Sequence, residues 1–382
     1  MVCDNVFYMR ENPRIVICGN YGATNLGDEA ILEGILTMVR RSIPSADITI
    51  MSSNPEETTS LHGEKSIFLV PAGVRSFFRG IFSGTIGETL DVMKRADLFI
   101  LGGGGLFTDE RPMAVLIWSL QVRMARFFKV PIFCFGQSVG PLRTFFGRSV
   151  TRKVFQSARM VSVRDPSSAI LLQRSLGIDD VKELADPAFA LASLGPIAEQ
   201  QESYIVLSVR PWVRGKSSEL YKILAQFIDW AWKSHQLKTI LVPFQVANGS
   251  DIDVLNKIFD QVEVEDAAEI FAYTSDYRKI MELMSRSQAV VGMRLHSLIF
   301  SALAHTPFVG LSYSEKVRQF VKQVHMEEYL FEWENLELQL LKDAFEGMLK
   351  HRDEISVRID DAVFDLRAKA MEHEELLRRR AE

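Results

Sequence analysis

At 382 residues with 47% hydrophobic side chains, the chain can bury two substantial cores, and two domains are expected. A formal net charge of −5 argues against a general nucleic-acid binder, whose affinity would rest on neutralising phosphates. The three cysteines, Cys3, Cys18 and Cys134, show no CxxC spacing, which disfavours a disulfide scaffold or a zinc site and fits a reducing cytoplasm.

The N-terminus carries Asp4, Asn5, Arg10 and Glu11 and lacks the unbroken apolar core of a signal peptide. No apolar run further along is long enough to span a bilayer, so a soluble protein is expected. Residues 14–18 read as a strand, and 28–41 as the helix that follows a glycine-rich loop. Residues 47–52 and 97–101 are further strands, the second ending in the four glycines at 102–105. A helix over 111–128, a strand over 131–136 and a strand over 160–163 follow. Asp165 or Ser167 is placed to cap the helix after that last strand.

Gly195, Pro196 and the polar run 199–203 mark a boundary, giving domains 1–195 and 196–382. The alternation restarts with strand 204–209, helix 217–235 and strand 238–243. It ends in a charge-rich helical tail over 335–382. Strands alternating with helices predict parallel sheets covered on both faces, an α/β fold. Such sheets bind ligands outside the carboxyl ends of their strands.

The chemistry-bearing residues concentrate at those ends. In Val290-Val291-Gly292-Met293-Arg294-Leu295-His296-Ser297 a strand runs into a glycine and then a helix. The unpaired N–H groups of a helix's first turn, joined by a guanidinium and an imidazole, make a seat for phosphate or carboxylate. Val309 to Lys316 repeats the device with a lysine, while Arg164 and Arg210 also follow strands. A single arginine is more often a surface ion pair or cap, but several at strand ends indicate anion handling. The loop from Gly19 to Glu29 is neither a dinucleotide fingerprint nor a Walker loop. Its Asp28 and Glu29 either complement the helix dipole or serve an acceptor as a base. The glycines at 102–105 and the corner at Gln137 are open backbone suited to a hydroxyl-rich ligand. His62, His235, His325, His351 and His373 sit in polar stretches without metal-ligand spacing, and His305 reads as a loop residue.

Two stretches mix aromatic and basic residues. Phe77, Phe78, Ile81 and Phe82 lie with Arg75 and Arg79; Phe145 and Phe146 lie among Arg143, Arg148, Arg152 and Lys153. Such mixtures suit docking on anionic lipid, with an ordinary amphipathic helix as the plain alternative.

Taken in order, these landmarks resemble the polysaccharide pyruvyl transferase family, especially bacterial members that modify cell-wall polymer precursors used to anchor surface layers. The matching stretches are 19–29 with its Asn-Leu-Gly-Asp-Glu, 101–106, 136–141, 162–165, 208–212, 292–297 and 310–316. The resemblance implies a GT-B-like fold of two facing Rossmann-type domains. It implies phosphoenolpyruvate (PEP) as donor, no cofactor and no metal. The acceptor it implies is a sugar, an amino sugar on a lipid-linked precursor, handled at the inner face of the membrane. Family donor binding carries over to Arg294, Leu295 and His296, with Arg164 or Arg210 as a further arginine.

Making a cyclic ketal from PEP requires protonation of its methylene, attack by one sugar hydroxyl, loss of phosphate and attack by a second hydroxyl. In this scheme His296 transfers the proton, the arginines hold the anionic groups and Lys316 supports the leaving phosphate. Asp28 or Glu29 takes a proton from the sugar, while Asn25, Gly27, Gly103, Gly104 and Gln137 line the acceptor side. The competing readings are a nucleotide-sugar glycosyltransferase of the same architecture and a non-catalytic glycan-binding module.

Overall fold

The computed structural model describes residues 10–73, 75, 80–110, 112–191, 202–212, 217–247 and 250–379. Phe77, Phe78 and Arg79, and the boundary expected at 195/196, lie outside them. The chain divides into two compact units. One comprises the described residues up to Ala23, Asp28–Leu191 and the chain from Leu366 onward; the other comprises Thr24–Gly27 and the described residues between Leu191 and Asp365.

The first unit is built on a parallel sheet. Its strands are β1 (Arg14–Cys18), β2 (Asp47–Ser52), β3 (Lys65–Phe68), β4 (Leu98–Leu101), β5 (Gly104–Phe107), β6 (Ile132–Val139), β7 (Met160–Val163) and β8 (Lys182–Glu183). They are ordered β3-β2-β1-β4-β6-β7-β8, with β5 pairing beside β6. β4 is an unbroken apolar run and β1 and β7 are mainly apolar, because helices cover both faces of such a sheet.

The helices follow local rules. Leu26–Ser42 opens with Asp28 and Glu29 and closes with Arg40 and Arg41, complementing its dipole. Pro55–His62 is capped by Asn54, starts on proline and stops at Gly63, whose φ of 75° suits a residue without Cβ. Asp165 caps the helix Pro166–Ile170 by accepting from Ser168 N at 2.8 Å.

The second unit repeats the plan with β9 (Tyr204–Ser208), β10 (Lys238–Leu241), β11 (Ala268–Ile270), β12 (Val290–Gly292), β13 (Phe308–Ser312) and β14 (Leu330–Glu332). All pair in parallel in the order β11-β10-β9-β12-β13-β14.

Several expectations shift. The glycines at 102–105 are only partly open backbone, since Gly104 begins β5. The strand expected to stop at Gly136 runs on to Val139 and takes Gln137 with it. The tail does not stay with the C-terminal domain: from Leu366 it joins the first unit, where His373 stacks on Phe135 with ring centroids 4.8 Å apart. His373 is thus buried in a core and not in a polar stretch, and His62 is 6% exposed. No described helix is long and apolar enough to cross a membrane.

Candidate active site

In each sheet the strand order reverses once, between β1 and β4 in the first unit and between β9 and β12 in the second. Open parallel sheets bind ligands outside their carboxyl edges at such points. The two glycine-rich loops follow β1 and β4. Arg210 and Arg294 follow β9 and β12.

Register organises the second unit's edge. Ser208 pairs with Gly292, and Gly292 with Gly310, so three small residues form one row across β9, β12 and β13. Arg210 and Arg294 each stand two residues beyond it. A Cβ on Gly292 would lie 2.5 Å from Ser297 Oγ and 2.6 Å from Leu298 Cδ2. Glycine therefore lets the helix Leu295–Leu303 begin hard against the strand end.

Arg294 occupies the N-cap position of that helix, and its guanidinium forks onto Asp251. Nε reaches Oδ2 at 2.7 Å and Nη2 reaches Oδ1 at 2.5 Å. Asp251, fully buried, also accepts from the backbone N–H groups of Phe244 and Gln245, each at 3.0 Å. One carboxylate thus binds the loop after β10 to the arginine after β12. Such two-pronged, charge-assisted contacts fix orientation as well as position.

Arg210 lies over the Tyr313 ring, with its guanidinium carbon 4.8 Å from the centroid and Nη1 donating to Tyr313 Oη at 3.1 Å. Trp212 packs edge-on against the same ring at 5.7 Å. Leu295 and His296 are in the first turn of Leu295–Leu303, and Lys316 is in the first turn of Glu315–Gln323, all three half-buried. Arg210, Arg294, His296 and Lys316 therefore gather at the carboxyl ends of three adjacent strands.

Thr24–Gly27 belongs to this unit. Leu26 N donates to Phe244 O at 3.1 Å, Ala247 N donates to Thr24 Oγ1 at 3.0 Å, and Asn25 bridges Gln245. Asn25 Oδ1 turns back to accept from Gly27 N at 3.2 Å. A Cβ on Gly27 would lie 2.1 Å from Nδ1 of His296. Gly27, expected on the acceptor side, makes room for the imidazole.

In the first unit Asp28 accepts from Asn20 Nδ2 at 2.7 Å and lies against Gly104, where a Cβ would come 3.2 Å from Oδ1. Gly104 has φ of 112°, a backbone conformation that glycine tolerates. Glu29 has different partners. It accepts from Gly22 N at 2.8 Å and meets His62 Nε2 at 3.0 Å, while Glu33 meets His62 Nδ1 at 2.8 Å. Burial alone would lower the His62 pKa, but the two carboxylates outweigh it and raise it. Glu29 is thereby a loop anchor.

Gln137 is fully buried, and its amide donates to Leu101 O at 3.0 Å and to Gly102 O. Gly103 is buried with a Cβ position 3.0 Å from Gly136 O. Both close strand ends, which is a structural task. Arg164 is 8% exposed and engaged by Asp186 in the same unit.

Sequence reasoning missed Asp251. Its only signal was an acidic residue in the stretch after Pro243-Phe244-Gln245, since a carboxylate's partners depend on the fold. Among the described residues no three His, Cys, Asp or Glu side chains cluster as a metal site would. A cavity of about 530 Å³ lies at the other edge of the same sheet, near Tyr204 and Lys238. Most of its charges pair with each other, as in Lys238–Glu269 at 2.7 Å and Arg286–Glu282 at 2.7 Å.

The family model described as Polysaccharide pyruvyl transferase matches residues 25–315. The chain belongs to the polysaccharide pyruvyl transferase family. It is a transferase, and the match spans both units and most of the strand-end residues above. A curated relative, the amylovoran biosynthesis protein AmsJ of Erwinia amylovora, is 22% identical over 414 residues, covering 95% of this chain and 97% of the relative.

Solved structures agree on the GT-B-like fold of this transferase. A putative UDP-N-acetylglucosamine 2-epimerase from Listeria monocytogenes aligns with a TM-score of 0.63 at 8% identity, covering 92% of this chain and 91% of that one. The UDP-GlcNAc 2-epimerase of Neisseria meningitidis aligns at 0.61 and 15% identity, covering 95% and 99%. A glycosyltransferase from Rickettsia africae aligns at 0.59 and 12%, covering 96% and 97%.

Proposed function

We propose that the enzyme transfers the pyruvyl group of PEP onto two hydroxyls of a sugar, with an amino sugar in a lipid-linked polysaccharide precursor as acceptor and the inner face of the membrane as its place of work. The observation that carries this reading is the gathering of Arg210, Arg294, His296 and Lys316 at the strand-order reversal of one sheet in a member of this family. PEP carries a phosphate and a carboxylate on a three-carbon frame, so its seat needs several fixed cations.

In this scheme Arg294, oriented by Asp251, and Arg210, braced on Tyr313, hold the two anionic groups. His296 protonates the methylene carbon as one sugar hydroxyl adds to the neighbouring carbon. The C–O bond to phosphate then breaks beside Lys316, and the second hydroxyl closes the ketal. Of the two hydroxyl protons, one ends on the new methyl group through His296 and the other on phosphate. Asp28 is the better candidate than Glu29 to relay a sugar proton, because Glu29 is occupied by Gly22 and His62.

The test is incubation with PEP and a lipid-linked or synthetic amino-sugar acceptor, reading phosphate release and pyruvyl mass gain together. Turnover only with a nucleotide sugar, or binding without turnover, would refute the proposal.

A further inference from the structure

The helices Pro112–Phe127 and Phe145–Gln156 pack together in the first unit and share a surface that the transfer chemistry does not use. Its apolar side chains point outward. Phe145 is 88% exposed, Phe127 79%, Phe146 54% and Met113 50%. On the first helix Met113, Leu116, Arg123 and Phe127 recur at helical spacing and are all exposed, forming one stripe. On the second, Gly147, Thr151, Val154 and Phe155 face inward, leaving Phe145, Arg148 and Arg152 outside.

The charged residues of these two helices have one sign. No Asp or Glu occurs between Glu110 and Asp165, in a chain whose net charge is −5. Arg123, Arg126, Arg143, Arg148, Arg152 and Lys153 are all exposed, and none forms an ion pair among the described residues. The adjacent carboxylate, Asp109, already accepts from the backbone N–H groups of Arg143 and Thr144, each at 2.6 Å.

We infer that this face docks the enzyme on the surface of an anionic lipid bilayer. The aromatic rings would enter the boundary between headgroups and acyl chains while the basic side chains meet lipid phosphates. A purely electrostatic partner such as duplex DNA would use the cations but gives outward phenylalanines nothing to enter. The inference rests on the lipid-linked-acceptor reading for its purpose only; charge and exposure carry it independently.

The test is co-sedimentation of the full-length protein with phosphatidylcholine vesicles, with and without phosphatidylglycerol, and a parallel titration with duplex DNA. Binding is expected only to the anionic vesicles and is released by added salt. Phe145→Ser/Phe146→Ser should weaken it by about tenfold or more. Each basic residue near an anionic leaflet contributes about fivefold, so Arg148→Glu/Arg152→Glu/Lys153→Glu should weaken it by about a hundredfold or more. These positions are exposed, so melting temperatures should stay near wild type. Phosphate release with a water-soluble acceptor should be unchanged, which separates failure of docking from failure of the transfer reading. No binding, equal binding to neutral vesicles, insensitivity to salt and to both variants, or preference for DNA would each overturn the inference.

Discussion

The Asp251 carboxylate holds the Arg294 guanidinium through two contacts, 2.7 and 2.5 Å long, while also accepting two backbone N–H groups from the loop after β10. An arginine held this way meets a ligand already oriented, so less of the binding energy is spent on ordering it. Arg294→Ala should abolish PEP affinity. Asp251→Asn keeps the cation but loosens it, and should weaken PEP binding by about 10- to 100-fold, roughly 1.4–2.7 kcal/mol. Calorimetric titration with PEP measures both; unchanged affinity in Arg294→Ala would remove the donor assignment.

Gly27 and His296 make a second pair. An alanine within a helix normally gains about 1 kcal/mol over glycine, but here the added methyl would strike the imidazole. His296→Ala should keep PEP binding and lose at least about a hundredfold in rate, about 2.7 kcal/mol. Gly27→Ala should approach the same loss by displacing the ring. Because both act on one group, the double variant should be little slower than His296→Ala alone. Single-turnover rates decide this, and additive losses would contradict it.

Arg164 and Arg210 should separate cleanly. Arg164→Met strands the buried Asp186 and should cost about 3 kcal/mol or more of stability while leaving PEP affinity intact. Arg210→Met should weaken PEP binding with little change in melting temperature. The reverse pattern would return Arg164 to the donor site.

Two buried histidines of the first unit give opposite pH dependences. Burial depresses the His373 pKa from 6.5 to about 4, so the unfolded chain binds the proton more readily than the folded one. Stability should fall by up to about 3 kcal/mol as pH drops from 6.5 to 4. His62, raised by Glu29 and Glu33, contributes stability that is fully present below its unfolded pKa and is lost as pH rises through the folded one. Chemical denaturation across pH checks both signs: His373→Gln should flatten the acid limb and His62→Gln the neutral-to-alkaline limb.

Legibility in the sequence followed local physics. Strands 14–18, 47–52 and 160–163 were readable to the residue, because doubly covered parallel strands are short, mainly apolar and β-branched stretches between helical patterns. The placement of Arg294 and His296 at a strand-to-helix corner was readable because glycine, cation and helix start lie within a few residues. β3 was not, being short and only partly buried, and neither was the C-terminal helix's place in the first unit. His373 looked solvated because its charged neighbours lie on the helix's other faces. Asp251's role was hidden because its partners stand at 244–245 and 294, and strand order alone brings them together. Glu29 and the Gln137 amide nitrogen show the converse: motif position marked these residues as chemical, but these groups are spent on the scaffold.

The row of Ser208, Gly292 and Gly310 separates two kinds of information. Everything up to that row specifies how the strands align; the side chains that would meet a ligand come later, on connections tied to one another through Asp251–Arg294 and Arg210–Tyr313. A change of length or composition in one connection would therefore be felt by the connection it is tied to. Retuning this edge would then take paired changes in two connections, with the underlying lattice of strands left untouched.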